Sequence, residues 1–271
     1  MATITASQVK ELRERTGVGL MECKKALAEN NGDLDQSIQY LREKGLSKAA
    51  KKADRSTNEG KVTVAESADK KQAVILEVNC ETDFVANNDD FVAFGQKIAS
   101  TILDQNIETL EALEASSIDG KNLSELTGEY VLKLGENIKV KQFKLISGEY
   151  VASYTHMTGK IATVIAFTGN TEEETAKDIA MHTTAVNPLF LNKEQVSEAD
   201  LENEKNILKT QAENEGKPAD VVEKIVMGKI NKYYKENCLL EQAFVKDDKK
   251  AIKDLLSNGV TITEFVRYQL G

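Results

Sequence analysis

One stretch of the sequence, residues 73–102, restricts the folds open to this chain more than any other. It begins with a short run rich in β-branched residues, 73–78, which predicts a buried β-strand. It ends with apolar residues at three- and four-residue spacing, the pattern of an amphipathic helix: Phe91, Phe94, Ile98 and Ile102. The decapeptide between them, residues 78–87, therefore forms a strand-to-helix corner, where side chains project without disturbing a sheet.

Asp83 and Phe84 at this corner allow two interpretations. In the first, Asp83 caps the following helix by accepting backbone N–H groups, and Phe84 belongs to the core. In the second, the two residues form an exposed pair, one charged and one aromatic, which we call the wedge. The spacing alone favours the first interpretation, because capping is the commoner use of Asp at such corners.

The composition predicts a cytoplasmic protein of one large domain or two to three smaller ones. Of the 271 residues 41% are apolar and 29% charged, proportions that are ordinary for a globular protein. No apolar run approaches the roughly 20 residues of a membrane span, and the N-terminus lacks the apolar core of a signal peptide. Three widely spaced cysteines favour neither a disulfide framework nor a zinc site. The formal net charge of −9 argues against broad nucleic-acid affinity.

The first 45 residues predict a small bundle of three short helices. Leu20, Cys23 and Leu27 mark the apolar side of the second helix. The expected caps and stops of the bundle are Thr5 with Gln8, Asn31-Gly32, Asp33 with Gln36, and Gly45 at the end of the third helix. Ubiquitin-associated domains, DNA-reading helix-turn-helix units and plain docking modules share this architecture, so the fold alone does not choose a function.

Residues 48–60 are basic, then polar, and lack an apolar stripe, which predicts a linker that is helical at most at its start. We expect its basic residues to be solvated: Lys48, Lys51, Lys52, Arg55 and the flanking Lys61. The alternative is a phosphate-binding patch. It is the less favoured interpretation because the segment contains no aromatic side chains. Residues 1–55 hold 11 basic and 8 acidic residues in an otherwise acidic chain, which favours a separate N-terminal module.

Residues 56–146 and 147–271 predict a duplicated α+β core of two packed subdomains with small antiparallel sheets. The first copy contains strands at 61–65 and 73–80, the helix after the corner, the helix Leu123–Leu134 and a closing strand at 138–146. The second contains strands at 150–154 and 161–167, a helix at 172–186, and then, much later, a helix near 251–256 and a strand at 260–268. Residues 94–99 resemble residues 176–180, and the turns 135–138 and 258–261 would be equivalent.

Between about 190 and 240 the second copy is interrupted by a predicted antiparallel, coiled-coil-like helical hairpin. Ser197 is placed to cap its first helix, residues 215–218 break the pair, and Pro218 suits the first turn of the second helix. The hairpin is either a stabilising insertion or an extension of a binding surface.

The sequence contains no recognisable catalytic site. It has no Gly-rich phosphate loop, no nucleophile elbow and no pair of histidines at metal-binding spacing. His182 falls within an apolar helix and is predicted to be a core residue, whereas His156 falls in a hairpin turn where exposure is expected. A lone histidine is a weak indicator of catalysis. The residues by themselves favour a multi-domain binding protein.

Three motifs together resemble those of one family, bacterial translation elongation factor Ts, and the resemblance extends over essentially the whole chain. Residues 16–27, TGVGLMECKKAL, are similar to the N-terminal signature of the family, residues 77–86, EVNCETDFVA, to its central one, and residues 178–182, DIAMH, to a third. Glu22 stands where the family more often has Asp, and Thr158 and Ala162 where glycines are usual. The sequence ends at Gly271, whereas many members continue into a further helix.

The resemblance implies a guanine-nucleotide exchange factor for elongation factor Tu, the GTPase that delivers aminoacyl-tRNA. It implies a ubiquitin-associated-like bundle that docks on the GTPase domain of Tu through Arg13, Leu20, Met21 and Lys24. It further implies that the corner residues Thr82, Asp83, Phe84 and Val85 enter beside the magnesium site of Tu, and that His156 is a further contact. Such a factor needs no metal, cofactor or covalent chemistry of its own, and no direct contact with nucleic acid or membrane.

Two other function classes stay open at this stage. An adaptor built on the bundle, for a ubiquitin fold or for nucleic acid, predicts binding by residues 1–55 alone, with a steep salt dependence for nucleic acid. An enzyme with a scattered site predicts turnover of a metabolite in the absence of any GTPase.

Overall fold

The computed structural model describes residues 4–169, 171–216, 218–257 and 259–271. Lys217, in the expected break of the hairpin, and Asn258, in the expected turn 258–261, lie outside the described residues. Within those ranges, no helix combines the length and apolar character that a bilayer span requires.

The N-terminal region contains the three predicted helices, α1 (Ala6–Thr16), α2 (Leu20–Glu29) and α3 (Leu34–Lys52). Thr5 and Gln8 form the expected capping box of α1, and the Asp33 carboxylate accepts the Gln36 N–H at 2.9 Å at the start of α3. Cys23 and Leu27 are buried, as the pattern predicts, but Leu20 faces solvent.

The prediction that the third helix ends at Gly45 is wrong, because α3 continues for seven more residues. Gly45 packs against Gly128, and a Cβ added at Gly45 would lie 2.7 Å from the Gly128 carbonyl oxygen. Glycine at this position therefore permits close contact between two backbones and does not stop the helix.

The expectation of a solvated linker is also wrong for most of its basic residues. Residues 48–52 are helical, and four of the five basic side chains bind other parts of the chain. The pairs are Lys48 with Glu22 (3.2 Å), Lys52 with the Gly135 carbonyl, Arg55 with Glu81 (3.4 Å) and Lys61 with Asn87 (2.9 Å). These contacts fasten the segment to the bundle at one end and to the corner at the other.

The first core unit is a three-stranded antiparallel sheet covered by helices on one face. Its elements are β1 (Glu59–Glu66), β2 (Gln72–Cys80), α4 (Asp83–Ala86), α5 (Asp89–Asp104), α6 (Leu110–Ala115), α7 (Leu123–Leu134) and β3 (Lys139–Ser147). The strand order is β1-β2-β3, so the strand that leads into the corner is central. The short helix α6 was not predicted.

The second unit repeats this plan with an insertion. Its elements are β4 (Tyr150–Thr155), β5 (Ile161–Thr168), α8 (Glu173–Val186), α9 (Glu198–Asn214), α10 (Ala219–Asn237), β6 (Ala243–Phe244), β7 (Asp247–Ala251) and β8 (Thr261–Gln269). Its strand order is β4-β5-β8, and β6 pairs with β7. The helix expected near 251–256 is only a 3₁₀ turn, Ile252–Leu255, which follows the small β6–β7 ribbon.

The predicted duplication and α+β class are confirmed by the topology and by a shared irregularity. Each central strand pairs with its closing strand through a bulge, which leaves Lys141 unmatched in β3 and Thr263 unmatched in β8. The two sheets pack face to face through apolar side chains, including those of Val62, Ile75 and Val164. The core of the protein is therefore a sandwich whose two outer faces carry helices.

Helices α9 and α10 form the predicted antiparallel hairpin, with Ser197 as the N-cap of α9. The base of the hairpin belongs to the second core, since Leu191 and Leu239 are buried there and Cys238 beside Leu239 is buried as well. The backbone closes the base through the Phe190 N–H, which donates to the Asn237 carbonyl at 3.0 Å. The helices beyond this closure are held by a narrow apolar seam.

Candidate functional site

The corner residues Thr82–Val85 begin a one-turn helix, α4, directly after the central strand. Thr82 has extended backbone angles and is the N-cap, because its hydroxyl oxygen accepts the Val85 N–H at 3.4 Å. The capping role considered for Asp83 is therefore wrong, and Asp83 is the first residue of α4. The following helix, α5, has a cap of its own at Asn88.

The wedge is exposed. The Phe84 side chain is 86% accessible, and Asp83 also faces solvent. The alternative that Phe84 belongs to the core is thus wrong, although its neighbours Val85 and Ala86 do pack against the first core. Burying a phenylalanine is worth about 1.5–3 kcal/mol, so the isolated fold forgoes that stabilisation at this position.

A carboxylate on the turn after α7 holds the corner in place. Glu136 Oε2 accepts the N–H groups of Glu81 and Thr82 at 3.1 and 3.0 Å, and its Oε1 accepts the Thr82 hydroxyl at 2.6 Å. In return, the Asn137 N–H donates to Glu81 Oε1 at 2.7 Å. The wedge therefore projects from a backbone that is tied down on its N-terminal side.

Cys80, the last residue of the central strand, is buried and unsuited to nucleophilic chemistry. Burial raises the pKa of its thiol to about 12, and the nearby Glu136 carboxylate adds to that rise. The thiol donates to the Thr82 carbonyl at 3.2 Å. A thiol in this state supports the corner structurally and does not supply a thiolate at neutral pH.

The turn between β4 and β5 lies beside the corner, where Lys61 joins the two. The Lys61 ammonium donates to the Asn87 side-chain oxygen at 2.9 Å and to the Thr158 carbonyl at 2.7 Å. His156 in this turn is exposed, as predicted, and the adjacent Met157 is 92% accessible. Sequence reasoning missed Met157; the only signal was its place beside His156.

The four residues assigned to docking lie on the last turn of α1 and the first turns of α2, and all are exposed. Met21 is 76% and Leu20 50% accessible, beside the charged Arg13 and Lys24. Glu22 in the same helix pairs instead with Lys48 and Lys44 of α3. The hydrogen bond from Lys44 lowers the pKa of Glu22, so this carboxylate stays ionised and joins two helices of the bundle.

The loop between α1 and α2 reaches the first core near the corner. A Cβ added at Gly17 would lie 2.9 Å from the Lys133 ammonium, and Lys133 pairs with Asp90 at 2.6 Å. Asp90 belongs to the first turn of α5, shortly after the wedge. The bundle thus approaches the first core at Lys133, whose ion-pair partner Asp90 follows the wedge in the sequence.

His182 is a core residue, as predicted. Its Nε2 lies 2.9 Å from the Gln242 side-chain oxygen, and its Nδ1 accepts the Val245 N–H at 3.3 Å. Burial lowers the pKa of this histidine, which favours the neutral ring. Among the described residues, no group of three or more His, Cys, Asp or Glu side chains is placed so as to hold a metal ion.

Comparison with known proteins identifies the family. The sequence profile described as "Elongation factor TS" matches residues 81–271, a span that starts at the corner. The elongation factor Ts of Clostridium perfringens strain SM101 is 47% identical over 282 aligned positions, which cover 99% of this chain and 93% of the relative. The chain belongs to the elongation factor Ts family. The elongation factor Ts of C. perfringens strain 13 matches with the same identity and coverage, and the resemblance inferred from the motifs is confirmed.

The elongation factor Ts relatives align with the N-terminal bundle as well as with the core, since they cover 99% of the chain. The family profile itself includes the corner and His156 but begins after the bundle. The exposed bundle residues are therefore matched to the family by the full-length alignment and not by the family profile.

Proposed function

We propose that the wedge promotes GDP release from elongation factor Tu by disturbing the magnesium and phosphate site of that GTPase. As a member of the elongation factor Ts family, the chain is a nucleotide-exchange factor for Tu in translation elongation. The finer proposal is that Thr82, Asp83, Phe84 and Val85 bind beside the magnesium ion and dislocate it. Cytoplasmic localisation follows from this role in our proposal.

The observation that supports the wedge is an aromatic side chain that is 86% exposed on a backbone fixed by three hydrogen bonds to Glu136. A preorganised backbone loses little conformational entropy when the side chain that it carries enters a partner. The Asp83 carboxylate beside it suits a magnesium site, because Mg²⁺ prefers oxygen ligands and requires near-ideal geometry. A competing carboxylate that distorts this geometry weakens the hold of the ion on the GDP phosphates.

The magnitude of exchange requires a wide interface as well as the wedge. Accelerating release about 10⁴-fold takes roughly 5.5 kcal/mol of interaction that favours the nucleotide-free state. Burying Phe84 in Tu supplies about 1.5–3 kcal/mol. We assign the remainder to the wider interface, with His156 as a further contact. Arg13, Leu20, Met21 and Lys24 supply docking that is equal in the GDP-bound and nucleotide-free states of Tu.

The three sequence segments then have separate tasks in our proposal. Residues 1–55 dock, residues 56–146 present the wedge, and residues 147–271 widen the interface. The hairpin formed by α9 and α10 prolongs the lifetime of the complex. Coupling between the sites is reciprocal, so bound GDP must weaken the binding of the factor by the same ratio.

GDP release from Tu, measured with and without the chain over a series of magnesium concentrations, tests this mechanism. If the wedge dislocates the ion, the chain accelerates release strongly at millimolar magnesium and adds little once a chelator has removed the ion. An acceleration that is equally large without magnesium would contradict the magnesium step and leave the exchange function standing. No acceleration at any magnesium concentration would contradict both.

A further inference from the structure

We infer that Glu136 is a positioning residue for nucleotide exchange: its carboxylate fixes the corner so that the wedge enters Tu in a defined direction. The inference rests on the proposed function of the wedge. Glu136 lies 52 residues after Phe84 in the sequence and outside every motif that identified the family. Its role is visible only in the folded chain.

The hydrogen bonds to Glu136 satisfy three donors on the N-terminal side of the corner. The N–H groups of Glu81 and Thr82 have left the sheet ladder and precede the first helical bond, so they have no other backbone partner. The Thr82 hydroxyl donates its hydrogen to Glu136 while its oxygen accepts the Val85 N–H. One ionised group thus fixes both the strand exit and the N-cap, and such bonds to a carboxylate are stronger than neutral ones.

Glu136 is itself held from both sides. Gly135 adopts the left-handed conformation (φ +81°) that ends α7, and its carbonyl accepts a hydrogen bond from Lys52. Asn137 is buried and donates its side-chain amide to the carbonyls of Ala53 and Arg55 at 3.3 and 3.0 Å. The carboxylate therefore acts from a fixed turn, and that turn also receives the chain from the docking bundle.

Without Glu136 the N–H groups of Glu81 and Thr82 lose their partner. The N-terminal side of the corner is then held through the Glu81 side chain, by Asn137 and Arg55, and no longer through those N–H groups. Helix α4 is only four residues long and is too short to form by itself. Phe84 makes no core contact that would restrict it, and Val85 and Ala86 anchor only the far end of the turn. A corner that samples several conformations presents the wedge correctly for only a fraction of the time, and the exchange rate falls with that fraction.

The test compares Glu136→Ala and Glu136→Gln with Glu125→Ala in the full-length chain. Glu125 is a matched control because it also accepts a backbone N–H, that of Asn122 at 3.0 Å, but at the opposite end of α7. GDP release from Tu is measured against factor concentration, which gives a saturated rate and a half-saturating concentration. We expect Glu136→Ala to lower the saturated rate about tenfold, with a change in half-saturating concentration of less than about threefold.

The conservative variant Glu136→Gln separates a positioning role from a general loss of stability. A glutamine keeps an oxygen for the two N–H groups but replaces the second acceptor oxygen by an amide, so Glu136→Gln should recover part of the saturated rate, to about threefold below the wild type. Glu125→Ala should leave it unchanged. Amide hydrogen exchange should be faster in Glu136→Ala at Glu81 and Thr82 while neighbouring amides of β2 stay protected.

Three results would overturn the inference: an unchanged saturated rate in Glu136→Ala, a loss confined to the half-saturating concentration, or an equal loss in Glu125→Ala. If Glu136→Ala does not fold, Glu136→Gln decides whether the positioning role holds. A saturated rate about threefold below the wild type supports the inference, and a wild-type rate refutes it. The pair Asp83→Ala with Phe84→Ala keeps the two proposals distinguishable. Should that pair lower the rate when Glu136→Ala does not, only the positioning role fails; should neither lower it, the wedge itself fails.

Discussion

Replacing Gly45 by alanine tests whether the bundle and the core form one rigid unit. The new Cβ would lie 2.7 Å from the Gly128 carbonyl oxygen, where ordinary contact begins near 3.4 Å, so α3 and α7 must separate by about 0.7 Å. Overpacking of this kind costs about 1–3 kcal/mol, whereas alanine gains roughly 1 kcal/mol of helix propensity over glycine. The difference is a net loss of up to about 2 kcal/mol, and each kcal/mol lost lowers Tm by roughly 2–4 °C.

Gly228→Ala is the matched control for this experiment. Gly228 lies inside α10, and a Cβ there meets no atom within 4 Å, so alanine should stabilise the chain or leave it unchanged. Thermal unfolding gives the two Tm values, and titration of Tu gives the half-saturating concentration for exchange. Gly45→Ala should raise that concentration because it shifts the docking residues relative to the wedge. A Gly45→Ala protein with a Tm at or above that of the wild type would refute the close-packing argument.

Three further predictions concern other parts of the chain. Replacing Arg13, Leu20, Met21 and Lys24 together should raise the half-saturating concentration about 30-fold without changing the saturated rate, since about 2 kcal/mol of docking energy is lost. An unchanged half-saturating concentration in an exchange titration would contradict the docking role of these four residues. Replacing residues 197–236 by a short turn keeps the buried hairpin base, and should speed dissociation from Tu in stopped-flow measurements; a collapse of the saturated rate would place the hairpin inside the mechanism. Burial lowers the pKa of His182 in the folded chain, so the neutral ring contributes stability that is complete above pH 6.5 and is lost as the pH falls through that lowered pKa, because the unfolded chain takes up the proton more readily. Thermal melts from pH 7.5 to 5 should therefore show a smaller fall in Tm for His182→Gln than for the wild type. Equal falls in Tm would contradict this role of His182.

The elements of the core could be predicted because their signals are local. Helix α7 has a capping box at Asn122 and Glu125 and a glycine at its end, and the sequence predicts its bounds. The strands of both sheets were predicted to within about two residues at each end. The exposed position of His156 and the buried position of His182 also followed from the pattern around them.

The errors arose where a residue serves a distant partner. Gly45 looks like a helix stop until Gly128 is placed against it, and the basic residues 48–61 look solvated until their partners on the corner, the bundle and the β4–β5 turn are known. Spacing also could not distinguish Thr82 from Asp83 as the cap, because both side chains are able to accept backbone N–H groups. Glu136 gave no sequence signal, since a carboxylate after a helix-ending glycine is unremarkable until the fold places it under the corner.

The most direct test of the central claim is the rate of GDP release from Tu at saturating factor and millimolar magnesium, with Asp83 and Phe84 both replaced by alanine. The control is Leu189→Ala, which removes another exposed apolar side chain that is 61% accessible and lies outside the corner. If the wedge dislocates magnesium, the double variant keeps its fold and its Tm to within a few degrees but loses about 1.5–3 kcal/mol of the effect, which is roughly ten- to 150-fold in the saturated rate. The control variant then releases GDP at the wild-type rate. A folded double variant that drives release as fast as the wild type would contradict the claim.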